Sequence, residues 1–291
     1  MARRIWRSGF LYVLPAMLVV AVVMLYPLVY TLVIGFFRHT LLMQTPVFVG
    51  FEQYVRLFNN PIFIRSIGNT FVWTIGSVFF QFSLGFIVAL VLHQPFIKGK
   101  TLLRILLMVP WVLPSIIGAS VWQWMYNADF GIINYLLVSA GIIPENRVWL
   151  SNPNTAMGAV IAVNVWKMFP FVLLMIEAAL QGVSKELKEA AIIDGAGSFQ
   201  TFKSVTLPAV SPTCYSILLL LIIWTLNAFT FIYALTMGGP AHSTEVMSMF
   251  IYNRAFTEFN FGLASAASTI LFIFSLVISF VYIQLSKRAE V

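Results

Sequence analysis

Long apolar runs recur along the chain at about 10–37, 66–92, 105–126, 155–182, 205–237 and 261–285. A hydrocarbon core of roughly 30 Å needs about 20 apolar residues of helix, so each run predicts one membrane span. Each run must be helical, because an open strand in lipid leaves its N–H and C=O groups unpaired at several kcal/mol per group. Pro15, Pro27, Pro110, Pro114 and Pro170 fall inside these runs and are read as kinks, not breaks. The polar pattern concentrates in one place, KELKEAAIIDGAGSFQTFKSVTLPAV at 185–210, between the fourth and fifth runs.

Composition agrees with lipid as the main solvent: 60% hydrophobic residues, 15% aromatics, 9% charged residues and a mean hydropathy of +0.92. The single cysteine, Cys214, excludes an internal disulfide framework and reads as a buried, inert thiol. The formal charge of +7 is spread over short segments between spans, which fits orientation in a membrane and not a nucleic-acid face. Alternating the loops puts 11 basic residues on one side (Arg3, Arg4, Arg7, Lys98, Lys100, Arg104, Lys185, Lys188, Lys203, Lys287, Arg288) against 5 on the other (Arg38, Arg56, Arg65, Arg147, Arg254). The positive-inside rule then places both termini and the 185–210 stretch in the cytoplasm. The first run follows three arginines like a signal sequence but is about twice as long as an h-region of about 7–15 residues, and is taken as a retained helix.

No loop is long enough for a catalytic domain, so whatever drives the protein must come from elsewhere. Gly99-Lys100-Thr101 looks like the tail of a phosphate-binding loop, yet Gln94 stands where the earlier glycine belongs. His39, His93 and His242 lie far apart at span ends, without metal-helix spacing. Lys167 lies mid-span, where a charge costs about 2.5–3.5 kcal/mol on insertion scales. The nearest acid in its helix, Glu177, is ten residues away, about 15 Å by helical rise. Lys167 must therefore meet water, another helix or a solute, and function and structural pairing are both open. Gln81, Asn164 and Gln123 are read as interhelical hydrogen-bond formers. Glu52, Asp129, Glu145, Glu245 and Glu258 are read as solvated loop charges.

Within 185–210, Ser184 is the predicted N-cap of a short helix with Glu186 and Glu189 near its positive end, and Gly195 or Gly197 is the stop. Leu187, Ala190, Ala191 and Asp194 fall on one narrow face whose alanines admit a close partner. Ser198 is the predicted cap of a second helix that runs through Phe199 and Phe202 into Leu207-Pro208 and the fifth span.

The order Glu189-Ala190-Ala191, Gly195, Val205, Leu207-Pro208 resembles the EAA loop of the membrane-spanning subunits of ATP-binding-cassette (ABC) importers, with valine where isoleucine is usual. FVGFEQYVRLFNNPIFIRSIGNT (48–70), VWQWMYNADFGIINYLL (121–137), WLSNPNTAM (149–157) and ALTMGGPAHSTEVMSMFIYNRAF (234–256) resemble the carbohydrate-uptake, MalF-like branch. The resemblance implies an all-α integral membrane protein of six transmembrane helices with a cytoplasmic coupling helix, the type I ABC importer permease fold. Residues 1–65 would hold the first helix and the first outer segment; 66–291 would form the five-helix core with the EAA loop at about 184–208.

It also implies roles. Glu189, Ala190, Ala191, Asp194, Gly195, Leu207 and Pro208 would couple to the ATPase, with Gly195 turning the chain where a Cβ clashes. Asn164, Lys167, Met168, Phe171, Trp224, Thr225, Asn227, Ala228 and Tyr233 would line the solute path. The implied partners are a second, distinct permease subunit, a cytoplasmic ABC ATPase dimer that binds ATP and Mg, a periplasmic or extracellular solute-binding protein docking near GGPAHST (238–244), a carbohydrate and membrane lipid. The chain itself would carry no cofactor and no catalytic or metal residue. An ion-coupled secondary carrier is the alternative; it calls for midplane acids and an internal repeat. A membrane hydrolase would need a nucleophile with a base in reach, and no histidine lies mid-span.

Overall fold

A computed structural model describes residues 12–289 of the chain; Arg3, Arg4 and Arg7, and the first two positions of the predicted first span, lie outside them. The helices in order are α1 (Tyr12–Ile34), α2 (Glu52–Phe58), α3 (Pro61–His93), α4 (Lys100–Val112), α5 (Ser115–Met125) and α6 (Ile132–Ser139). They continue as α7 (Ala156–Gln181), α8 (Lys185–Ile193), α9 (Ser198–Asn227), α10 (Thr230–Thr236), α11 (Met247–Tyr252) and α12 (Phe261–Ala289). Among the described residues, five helices are long and apolar enough to cross a membrane, and the α4–α5 pair makes a sixth crossing only if its two bent halves count as one span.

The chain divides into two compact units. One takes the residues up to Ile64 together with Phe250–Phe274. In it α1 leaves nearly all of its side chains uncovered by this chain, and a short antiparallel ladder, β1 (Phe37–Arg38) with β2 (Val47–Phe48), joins it to α2. Glu52 is paired with Arg38 at 2.6 Å and with Arg56 at 3.1 Å.

The other unit, Arg65–Met249 with the chain from Ser275 onward, holds the site. Its core packs α3 (Val78, Ala89, Leu92), α7 (Phe171, Val172, Leu173, Ile176, Leu180) and α9 (Val210, Cys214, Ile217, Leu221), with Val183 closing the end of α7. Helices α3 and α7 come close at Gly85, where a Cβ would lie 2.5 Å from Val172 Cβ and 2.7 Å from Phe169 O. Only a bare backbone fits there. Gly85→Ala is expected to cost about 1–3 kcal/mol of stability by overpacking, whereas Gly158→Ala, with no atom of this chain within 4 Å, is expected to cost far less. Melting in detergent checks the contrast; equal melting temperatures would refute it.

Two predicted spans change shape. The third is a break, not a kink: α4 and α5 meet at 98°. A residue before proline is pushed out of the helical region, and Leu113 (ψ 139°) and Pro114 (ψ 134°) are both extended. Pro110 and Pro170 stay inside helices. The fifth predicted run ends early: α9 stops at Asn227, Ala228 is extended, and α10 is a separate turn closed by Met237 at φ +51°. At its other end α9 begins at Ser198, before the apolar run, as the Phe199–Phe202 pattern predicts. Inside α9, Pro212 removes the N–H that would bond Pro208 O; the Ser211 hydroxyl donates to that carbonyl at 2.9 Å instead.

Candidate functional site

Helix α8 hangs between α7 and α9 on short links. Its N-cap is Ser184, whose Oγ accepts from Leu187 N–H at 3.2 Å and donates to Glu186 Oε2 at 2.6 Å. That hydroxyl holds the Glu186 carboxyl below the usual carboxylate range. The far end closes as a Schellman turn: Ala196 N–H donates to Ala191 O at 2.9 Å and Gly195 N–H to Ile192 O at 3.0 Å. Gly195 sits at φ +83°, and an added Cβ would meet no other atom of this chain within 4 Å. Glycine is therefore required by the backbone angle, not by crowding inside the chain. Gly197 is not a stop but the N-cap residue of α9, so Ser198 is the first helical residue and not the cap.

No residue of α8 is buried. Glu189, Ala190, Asp194, Leu207 and Pro208 are exposed and Ala191 is partly covered. Four apolar side chains, Leu187, Ile192, Ile193 and Phe199, stand 59%, 63%, 85% and 79% exposed. An exposed helix with apolar side chains and a two-alanine face is shaped for a partner surface.

Farther along α7, Lys167 is buried and reaches the broken span. Its ammonium donates to Trp111 O at 2.9 Å and to Leu113 O. The break at Leu113–Pro114 takes these two carbonyls out of the helix ladder, so Lys167 acts as a cap from another helix, at the negative end of α4's dipole. One turn on, Phe171 lies 6.0 Å from the Trp111 ring and 5.0 Å from the Trp224 ring, centroid to centroid. Trp111 and Trp224 are exposed, and Met168 and Ala228 are half-buried. The result is an aromatic ledge beside one ammonium.

The remaining expected path residues make contacts of their own. Asn164 is buried; its backbone O accepts from Gln81 Nε2 at 3.3 Å, so Gln81 bonds between helices while Asn164 takes part only through its main chain. Asn164 Nδ2 and Gln81 Oε1 are left without partners. Thr225 is buried and its carbonyl accepts from the Trp73 indole at 3.0 Å. Asn227 folds back onto Ile223 O at 2.8 Å, and Tyr233 packs edge-on against Phe229. Gln123 is exposed, not buried between helices. Glu245 is not a solvated charge: it is buried, contacts the His242 ring, and its backbone O accepts from Asn69 Nδ2 at 3.0 Å.

Sequence reasoning missed Trp111, Trp73 and the pair between α4 and α7. Arg104 Nε and Nη2 donate to Glu177 Oε2 and Oε1 at 2.8 and 2.9 Å. The available signal was that Arg104 and Glu177 lie at the same end of neighbouring predicted spans. A separate cavity of about 670 Å³, lined by Phe80, Leu84, Trp122, Val165, Trp166 and Phe169 among others, is almost wholly apolar and offers a polar solute little to hold.

A bundle of apolar spans, one of them broken, with an exposed short helix between the fourth and fifth, defines an integral membrane permease subunit with the type I ABC importer fold. Residues 81–291 match the family of binding-protein-dependent transport system inner membrane components, and the chain belongs to it. It is 36% identical over 281 residues to the trehalose/maltose transport system permease protein MalF of Thermococcus litoralis, covering 97% of this chain and 94% of that one. It is 31% identical to the sulfoquinovosyl glycerol transport system permease protein SmoG of Agrobacterium fabrum, covering 95% and 89%. Among solved structures, a chain of a bacterial ABC transporter involved in the import of the acidic polysaccharide alginate aligns with a TM-score of 0.85 and 25% identity, over 98% of both chains.

Proposed function

We propose that this chain forms half of the membrane pathway of an importer for a carbohydrate or sugar derivative and is driven by a separate ATPase that grips α8. The observation that carries the reading is α8 itself: a helix with no buried residue, bearing Glu189-Ala190-Ala191 and closed at Gly195 in the left-handed region. Leu207 and Pro208, exposed at the start of the next span, extend the same contact surface. The names of the relatives support the cargo class, since trehalose/maltose, sulfoquinovosyl glycerol and alginate are all carbohydrates or their derivatives.

In this reading α8 and both termini face the cytoplasm of a bacterial cell, and a distinct second permease completes the pathway. A solute-binding protein delivers cargo from outside, and ATP and Mg bind only to the ATPase dimer. The chain itself is not catalytic. The ledge of Trp111, Phe171 and Trp224, with Met168 and Lys167 beside it, suits a solute with an apolar ring face and many hydroxyls. Closure of the ATPases moves α8, and the spans alternate between inward and outward opening.

Reconstitution tests this. Proteoliposomes holding this chain together with a second permease, an ATPase dimer and a solute-binding protein of the same importer are expected to accumulate labelled sugar only with ATP on the ATPase side. Accumulation by the chain alone under a proton gradient would overturn the proposal in favour of a secondary carrier.

A further inference from the structure

Helices α4 and α7 touch through apolar packing at many points but are tied by polar groups at two. At one end the Arg104 guanidinium forks onto both oxygens of Glu177 at 2.8 and 2.9 Å, with the carboxylate side chain only 6% exposed. At the other, Lys167 holds Trp111 O and Leu113 O. Along α7 the ties are ten residues apart, about 15 Å by helical rise. Two fixed points set both the sliding and the tilt of one helix against the other.

A bidentate fork has one geometry and one register, whereas apolar side chains tolerate sliding by repacking. Burying such a pair adds little net stability, and a well-packed apolar pair of the same volume serves a core as well or better. Its contribution is positional. Glu177 lies one helical turn before the end of α7, and only Gly182, Val183 and Ser184 separate α7 from α8. That link is stiff: Gly182 and Val183 N–H donate to Ala179 O (3.1 Å) and Leu180 O (3.4 Å), and the Val183 side chain is buried in the core. A displacement of α8 therefore reaches Glu177 first, and through it Arg104 and α4.

We infer that Arg104 and Glu177 are positioning residues for coupling: their ion pair carries the movement of α8 into the broken span, so that α4, its Trp111 ledge and α7 move as one body. This rests on the importer reading above. Both residues lie outside α8, Arg104 in α4 and Glu177 in α7.

The test uses the full complex of this chain with its permease, ATPase and binding-protein partners in nanodiscs, reading the ratio of sugar-and-binding-protein-stimulated to basal ATP hydrolysis. The unaltered complex is read first; no stimulation there would defeat the importer reading itself. Given stimulation, Arg104→Gln and Glu177→Gln are each expected to lower the ratio about tenfold, the size of an ordinary coupling free energy. The exchange Arg104→Glu with Glu177→Arg is expected to restore it to within about twofold. Arg104→Cys with Glu177→Cys, in a Cys214→Ala background, carries no buried charge and keeps assembly independent of the pair. A short bismaleimide across the two thiols is expected to raise its depressed ratio toward the native value. The inference fails if the single variants keep the native ratio, if the cross-link leaves the depressed ratio unchanged, or if it lowers the ratio further, which would mean that α4 and α7 must part during the cycle.

Discussion

Gly195→Asp abolishes ATP-dependent uptake while leaving the chain in the membrane at its normal level; this is the expected result with the largest effect. The turn at Gly195 needs φ +83°, which costs an L-residue about 1–2 kcal/mol, less for aspartate than for a bulky side chain. Strain alone would therefore only loosen the end of α8. The larger damage is electrostatic and steric at the contact surface. A second carboxylate next to Asp194 accumulates at the negative end of the helix dipole, on a face shaped for a close partner. Because no other atom of this chain lies within 4 Å of the new Cβ, the bundle itself is untouched. Membrane levels by blotting and uptake of labelled sugar in vesicles check both halves; normal uptake would show that α8 is not the docking element.

Lys167→Met is expected to lower uptake about tenfold with the chain still inserted, and Lys167→Arg to recover much of the loss. Two opposing terms set this outcome. Losing the ammonium strands the carbonyls of Trp111 and Leu113, at about 1–3 kcal/mol each. Removing a cation from mid-span returns about 2.5–3.5 kcal/mol. The sum is small enough for the protein to stay folded, but the angle between α4 and α5 loses its tie. Trp111 then drifts from Phe171, and the ledge that faces the solute is misplaced. Uptake rate per inserted chain is the measurement, and an unchanged rate in the methionine variant would show that the bend holds without Lys167.

The parts of the fold legible in the sequence were those fixed by short-range rules. Span length, the Ser184 cap, the glycine stop and the run of α9 through Phe199 and Phe202 all depend on residues within one or two turns. What stayed hidden depends on partners far along the chain. Pro110 and Pro114 look alike as letters, yet one stays inside a helix and the other marks its end. A donor 54 residues away supports the second outcome. Arg104 and Glu177 are 73 residues apart and each looked like an ordinary loop or span-end charge. Glu245 looked solvated until Asn69, 176 residues earlier, folded against it. The ledge was half legible: Phe171 and Trp224 came from a family pattern, whereas Trp111 lay in a span drawn as kinked but unbroken.

The uncovered Leu187, Ile192, Ile193 and Phe199 have a consequence for the cell. A copy synthesised without its companions presents an oily handle to water, the kind of surface that chaperones seize and proteases clear. Balanced production of all the subunits is thus a requirement written into the shape of one nine-residue helix and the first turn of the next.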